Sequence, residues 1–365
     1  MSALVEVVES GLSVTIQDRG RFGYRNIGVP VSGALDPVYL GAANALLGNE
    51  PWAAALEVVM SGPSLKVVSG SVRMSLAGNI SAKVVNARGN VLTVRPWSTA
   101  TLFPGDTIQV GSVGGGVAYV GISGGFNVPQ VLGSRSTYQR ARLGGVSGRA
   151  LAAGDRLPCG HVLGDPWLES RSLQPLSYPE GPIRVILGPQ QDHFTDEALQ
   201  TFLSKPFTVT RELDRMGMRL NGERLQHNER GAEIASDGVV PGSIQVPANG
   251  HPIVLMADCQ TSGGYPKIAT VISADLPRLG HVKPGMLLCF QSVSLLEAAL
   301  ARREQAHRLA LWVGHLISFR PPGVINEEAL FGGNLISGAV RGDEYWHGIL
   351  ENPEVFDGER NNHVE

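Results

Sequence analysis

Residues 237–285, DGVVPGSIQVPANGHPIVLMADCQTSGGYPKIATVISADLPRLGHVKPG, alternate apolar runs with loops of small and polar residues. The run from Ile253 to Met256 is wholly apolar and short, the length of a buried strand. The loop directly behind it, Gln260-Thr261-Ser262-Gly263-Gly264-Tyr265-Pro266-Lys267, offers an amide, two hydroxyls, a phenol, an ammonium and two glycine N–H groups. Glycine lets a backbone approach a ligand closely, and successive N–H groups can form an anion nest. A tight hairpin turn accounts for the same residues, and both readings stand on local sequence.

The same alternation fills residues 57–160. Short runs such as LEVV, SLKVV, AKVV and TIQV are separated by Gly or Pro, which is an all-β signature. Glycine, at 46 of 365 residues or about 13%, is nearly twice its ordinary usage. The expected fold is mainly β with a few helices. A chain of 365 residues outgrows a single core. The expected division is an N-terminal β-rich domain over 1–165, a connection over 165–181 rich in Pro and Ser, a second domain over 181–312, and an extension with a loose tail over 313–365.

Two helices announce themselves by their ends. Asp36 can cap, Pro37 suits the first turn and Gly48 suits the C-terminus, with Leu40, Ala43 and Leu47 on one face. Ser294-x-x-Glu297 is a capping box, predicting a helix to about Leu311 with Leu296 and Leu300 among its apolar positions. A shorter helix is expected over 196–203, capped by Thr195.

Composition excludes several functions. A net charge of −3 gives no electrostatic case for nucleic acid or a membrane surface. Cys159, Cys259 and Cys289 are scattered singly, which argues against a zinc knuckle or a disulfide framework and fits reduced, cytoplasmic thiols. The nine His residues show no metal-ligand spacing, so no metal is expected. No leader is read at the N-terminus, and no apolar run approaches the roughly 18 residues of a membrane span. There is no Walker phosphate loop and no Rossmann fingerprint. Gly121-Ile122-Ser123-Gly124-Gly125 matches a nucleophile elbow, but Phe126-Asn127-Val128-Pro129 starts no helix, which the elbow requires.

Three polar loops remain. Gln17-Asp18-Arg19-Gly20-Arg21-Phe22-Gly23-Tyr24-Arg25 is either an anion-binding loop, arginine being suited to bidentate contacts, or a solvated loop with local Asp–Arg pairs. Gly133-Ser134-Arg135-Ser136-Thr137-Tyr138 is dense in hydroxyls. Asp214-Arg215-Met216-Gly217 resembles the first loop in character.

Together with Gly28-Val29-Pro30, Gly188-Pro189-Gln190, Gly242-Ser243-Ile244-Gln245-Val246-Pro247 and the 260–266 loop, these motifs resemble, in order along most of the chain, the biotin-dependent carboxyltransferase-like family, also known as allophanate hydrolase subunit 2 or KipA/PxpC. The chain departs from the family's form at Leu213 (usually Ser), Ser262 (Thr), His251 and His281 (both often Gln). The resemblance implies two β-barrel-like domains of cyclophilin type. It implies a role in an ATP-dependent 5-oxoprolinase, opening 5-oxo-L-proline to L-glutamate, with two partner subunits, one KipI/PxpB-like and one LamB/YcsF-like. ATP would be used without a Walker motif. The other readings are half of a biotin-dependent carboxyltransferase acting on urea, the biotin carried elsewhere since no biotin site lies in this chain, and a KipA-like regulator. On the main reading, Arg215, Arg21 and Lys267 supply positive charge. Thr261, Ser262 and the Gly263 and Gly264 amides donate to developing oxyanions. Gln245 orients a carboxylate or amide, and Asp18 and Tyr265 help to bind substrate.

Overall fold

The computed structural model describes residues 3–162 and 164–321. The tail expected after Asn352, and the extension beyond 321, lie outside the described residues. The mainly β expectation holds, and the strands enclose two hydrophobic cores.

The first core lies between two antiparallel sheets. One has six strands in the order Arg156–Cys159, Ala3–Glu9, Ser64–Ser69, Thr107–Val110, Ala82–Val85, Val91–Val94. The other begins Thr15–Gln17, Ala55–Val58, Ala118–Ile122, Val72–Ala77, Ser98–Leu102. Ala55–Val58 and Ala118–Ile122 are buried at every position, so the acid Glu57 within the first of them is taken out of water. The second core is enclosed by an eight-stranded sheet, in which Ile253–Leu255 lies between Gly217–Asn221 and Ser243–Gln245. Phe202, Phe207 and Phe290 fill it, with Phe202 stacked on Phe290 at 4.7 Å.

Helix α1 (Pro37–Leu47) has the expected ends: Asp36 accepts from Val38 N and Tyr39 N at 2.9 Å, and Gly48 closes it at φ 67°. Its buried surface is wider than a single stripe, because α1 is covered on two sides. Leu46 is buried where Leu47 was the expected contact. Helix α2 (Asp196–Ser204) is capped by Thr195, and α3 (Leu276–Leu279) is a single turn. Helix α4 (Leu295–Gly314) carries the Ser294–Glu297 capping box. It returns to the first half of the chain, where Trp312 meets Trp97 at 5.5 Å. Leu296, Leu300 and Leu311 are 70%, 51% and 50% exposed, so the expected apolar positions face outward and Ala301 and Trp312 make the buried contact.

The 165–181 connection is more ordered than its composition suggests. Glu169–Arg171 forms a strand between Ser98–Leu102 and Ile317–Phe319, extending the second sheet of the first core to seven strands. Residues further along are held by Tyr39 Oη to the Leu176 carbonyl (2.8 Å) and Trp312 Nε1 to the Gln174 carbonyl (2.9 Å). No helix follows Ser123, whose hydroxyl donates to the Arg73 carbonyl.

Ser294→Ala should lower the unfolding free energy by about 1 kcal/mol. Leu296→Ala, at an exposed position, should stay within about 0.5 kcal/mol of the parent. Urea titration followed by circular dichroism checks both.

Candidate functional site at the seam between the cores

Asp214 turns the chain after the strand Phe207–Leu213. Its Oδ1 accepts from Met216 N (2.7 Å) and Gly217 N (3.0 Å), which aims Arg215 away from its own sheet. Arg215 Nε and Nη2 grip Asp258 at 2.8 and 3.0 Å, Nη2 also donates to the Gly33 carbonyl at 2.6 Å, and Nη1 donates to Glu57. Glu57 lies 158 residues away in sequence, fully buried on the strand Ala55–Val58, on the face opposite Leu56 and Val58, which enter the first core. Burial works to lower the Arg215 pKa, but Glu57 and Asp258 outweigh it and the net shift is upward. The guanidinium is therefore a fixed charge.

Glu57 passes the network on. It accepts from Tyr119 Oη (2.6 Å) and Leu35 N (2.8 Å), and Asp36 N donates to Tyr119 Oη (3.0 Å). Asp36 also meets Tyr178 Oη and His281 Nε2, each at 2.7 Å. Burial, then Glu57 and Asp36, hold the Tyr119 phenol well above its ordinary pKa, so it remains a donor.

Two first-core loops meet this hub. Asp18 draws them together: Oδ1 accepts from Gly20 N (2.8 Å), Ser134 Oγ (2.7 Å) and Ser136 Oγ (2.5 Å), and Oδ2 from Arg135 N (2.6 Å). Its oxygens are thus used in joining the 17–25 loop to the 133–138 loop. Arg21 is 1% exposed; Nη2 donates to the Ser136 carbonyl, while Nε and Nη1 have no partner among the described residues. Burial lowers its pKa, Asp18 and Asp258 oppose that, and Arg215 reinforces it. Arg25 reaches the Cys259 thiol, which burial pushes up to about 11 against the pull of Arg25. Tyr138 is raised by burial and then by Asp258. Gly144, at φ 67°, allows the closure: a Cβ there would run into the Ser136 carbonyl and lie 2.7 Å from Arg21 Nη2. Leu132, Arg142 and Ser147 also hold positive φ (53°, 52° and 53°), the kind of backbone strain that collects at functional sites.

The 260–267 loop leaves directly from Asp258 and Cys259. Ser262–Gly263 pairs with Asp237–Gly238 in a two-stranded ribbon. Gln245, 2% exposed, receives Gln260 Nε2 on Oε1 and offers Nε2 to the Tyr265 carbonyl, both at 3.4 Å. Lys267 is 4% exposed; Nζ meets Asp237 Oδ2 at 2.5 Å and the Gly238 carbonyl at 3.0 Å, so its charge is shared with an acid. Ser262 and Tyr265 are exposed, and Thr261, Gly263 and Gly264 are half-buried.

Arg215, Arg21 and Asp18 are thereby brought together at the seam, with Thr261 to Lys267 and Gln245 joined to it through Gln260. The sequence reading passed over Glu57, Asp258 and Tyr119. The available signals were an acid inside the apolar run ALEVV and another directly behind Ile253 to Met256. Among the described residues no group of three or more His, Cys, Asp or Glu is placed to hold a metal ion, and no helix is long and apolar enough to cross a membrane.

A profile of the family described as carboxyltransferase domain, subdomain A and B, matches residues 27–292, and the chain belongs to that family. It is 35% identical to the C subunit of 5-oxoprolinase from Escherichia coli, over 83% of this chain and 95% of that protein. It is equally 35% identical to the protein of the same name from Haemophilus influenzae, over 82% and 95%. The crystal structure of Kluyveromyces lactis urea carboxylase superposes with a TM-score of 0.73 at 27% identity, covering 85% of this chain and 29% of that one.

Removing one partner of a buried ion pair costs about 3–5 kcal/mol. Glu57→Ala and Arg215→Met should each lose that much in urea unfolding, and the double variant less than their sum. At pH 8, Cys259 should react with a disulfide reagent at least about 100-fold more slowly than an ordinary free thiol, while the exposed Cys289 labels readily.

Proposed function

We propose that this chain is the C subunit of an ATP-dependent 5-oxoprolinase and works only with its partner subunits. The observation that carries the reading is the 35% identity with the Escherichia coli protein over 95% of its length. The partners are the KipI/PxpB-like and LamB/YcsF-like subunits, and the reaction consumes 5-oxo-L-proline, ATP and water to give L-glutamate, ADP and phosphate.

A lactam is stabilised by amide resonance, so its opening is helped by drawing electron density onto the carbonyl oxygen. Phosphoryl transfer to that oxygen needs position and positive charge more than covalent chemistry from the protein. Arg215 is the positioning residue in this scheme: its ion pairs lock the two cores so that the seam loops face one another. Arg21 supplies charge at the seam. Thr261, Ser262 and the Gly263 and Gly264 amides supply donors to the developing oxyanion, and Lys267 fixes their ribbon through Asp237. Gln245 sets the loop's inner side and orients the amide, with Tyr265 at the open rim. Asp18 acts on substrate indirectly, by holding Ser134 and Ser136.

The likeness to Kluyveromyces lactis urea carboxylase supports a second reading, in which the same donors serve a biotin-dependent carboxyltransferase acting on urea or a related amide. The two separate in one assay. Co-expressed with both partner subunits, the chain should support ATP-dependent glutamate release that avidin leaves intact, and alone it should release none. A folded ternary complex without release, or activity abolished by avidin, would overturn the proposal.

A further inference from the structure

The loops over 17–28 and 133–149 carry seven arginines, three in the first and four in the second, against one acid, Asp18; of the seven, Arg149 is paired with Asp155 and Arg140 with Asp214, outside the loops. The seam's acids are already engaged. Asp18 accepts from one backbone N–H of its own loop and three donors of the next. Asp258 and Glu57 are held by Arg215. Arg21, 1% exposed, is left with one hydrogen bond, to the Ser136 carbonyl, and with Nε and Nη1 unpartnered among the described residues. Arg25, which ends against Cys259 next to Asp258, has a buried Nη1 in the same condition. A buried donor without an acceptor is costly, and more so on a charged group. A water molecule can accept one of these bonds but brings no countercharge.

We infer that the Arg21–Arg25 end of the seam is an oxyanion subsite, and that in the 5-oxoprolinase reading, on which this assignment rests, it holds the carboxylate of 5-oxo-L-proline. A carboxylate or phosphate offers only acceptors, enough for three N–H groups, and carries the missing charge. With the carboxylate anchored there, the lactam ring extends toward Asp258, Cys259 and the 260–267 loop, whose donors serve the ring carbonyl. The subsite thus selects lactams that carry a carboxylate.

The test uses the assembled three-subunit enzyme with Arg21→Met, Arg21→Lys and the parent, and two lactams, 5-oxo-L-proline and 2-pyrrolidinone, which lacks the carboxylate. Arg21→Met should raise KM for 5-oxo-L-proline by about 10- to 100-fold, the size of a lost charge-assisted hydrogen bond. It should leave KM for ATP and KM for 2-pyrrolidinone, which brings no carboxylate to the subsite, within about twofold of the parent, and Arg21→Lys should recover part of the loss. If KM for ATP rises instead, the oxyanion is a phosphate: the subsite stands and the carboxylate assignment falls. The full chain alone supplies an arm independent of the activity. Inorganic phosphate or 5-oxo-L-proline should raise the melting temperature of the parent but not of Arg21→Met, whose own ligand-free melting temperature should not fall. A ligand-free melting temperature lowered in Arg21→Met, with neither ligand shifting the parent, would make Arg21 a structural residue and overturn the subsite. If the complex opens no lactam while phosphate still shifts the parent, the 5-oxoprolinase reading fails and the oxyanion subsite survives.

Discussion

The arrangement of the seam depends on one side chain. Arg215 leaves the second core and is satisfied almost wholly by the first core and by the loop behind its own sheet: Glu57, Gly33 and Asp258. A buried ion pair is a weak source of stability, because desolvation offsets most of its attraction. What it supplies here is geometry. Rotating one core against the other would break the bonds to Glu57 and Gly33 together and leave charges stranded out of water. The two cores are therefore fixed in one orientation, and the loops that line the junction inherit it.

This constraint explains why the polar residues of the two halves form a continuous network. From Asp258 through Arg215, Glu57 and Tyr119 to Asp36 and His281, the chain of bonds starts in the second half, crosses the first and ends in the second again. The same Asp258 opens the 260–267 loop, so the segment that ties the cores also positions the donors. The exposed edge of this loop is at Ser262 and Tyr265, and in the proposed reaction it would present its donors from a fixed frame.

Local signals were legible in the sequence. The ends of α1 and α4 could be read because a cap is a contact between residues two or three apart, as at Asp36 with Val38 and Ser294 with Glu297. The direction α4 faces was not, because Leu296 and Leu300 are exposed while Trp312 is drawn to Trp97 by tertiary packing. The strand Glu169–Arg171 was hidden for a similar reason: its partners are Ser98 and Ile317–Phe319, far away in sequence on both sides. At the site, the Arg21, Arg215 and 260–267 motifs stood out by composition. The role of Glu57 did not, since nothing near it in sequence reveals a partner 158 residues on.

The central claim, that the reacting site lies in the seam that Arg215 holds closed, is tested most directly by hydrogen exchange on the assembled enzyme with and without 5-oxo-L-proline. Exchange reports local opening segment by segment. Ligand should slow exchange together in residues 17–28, 133–145 and 258–266. Protection elsewhere in the complex, with those three segments unchanged, would contradict the account.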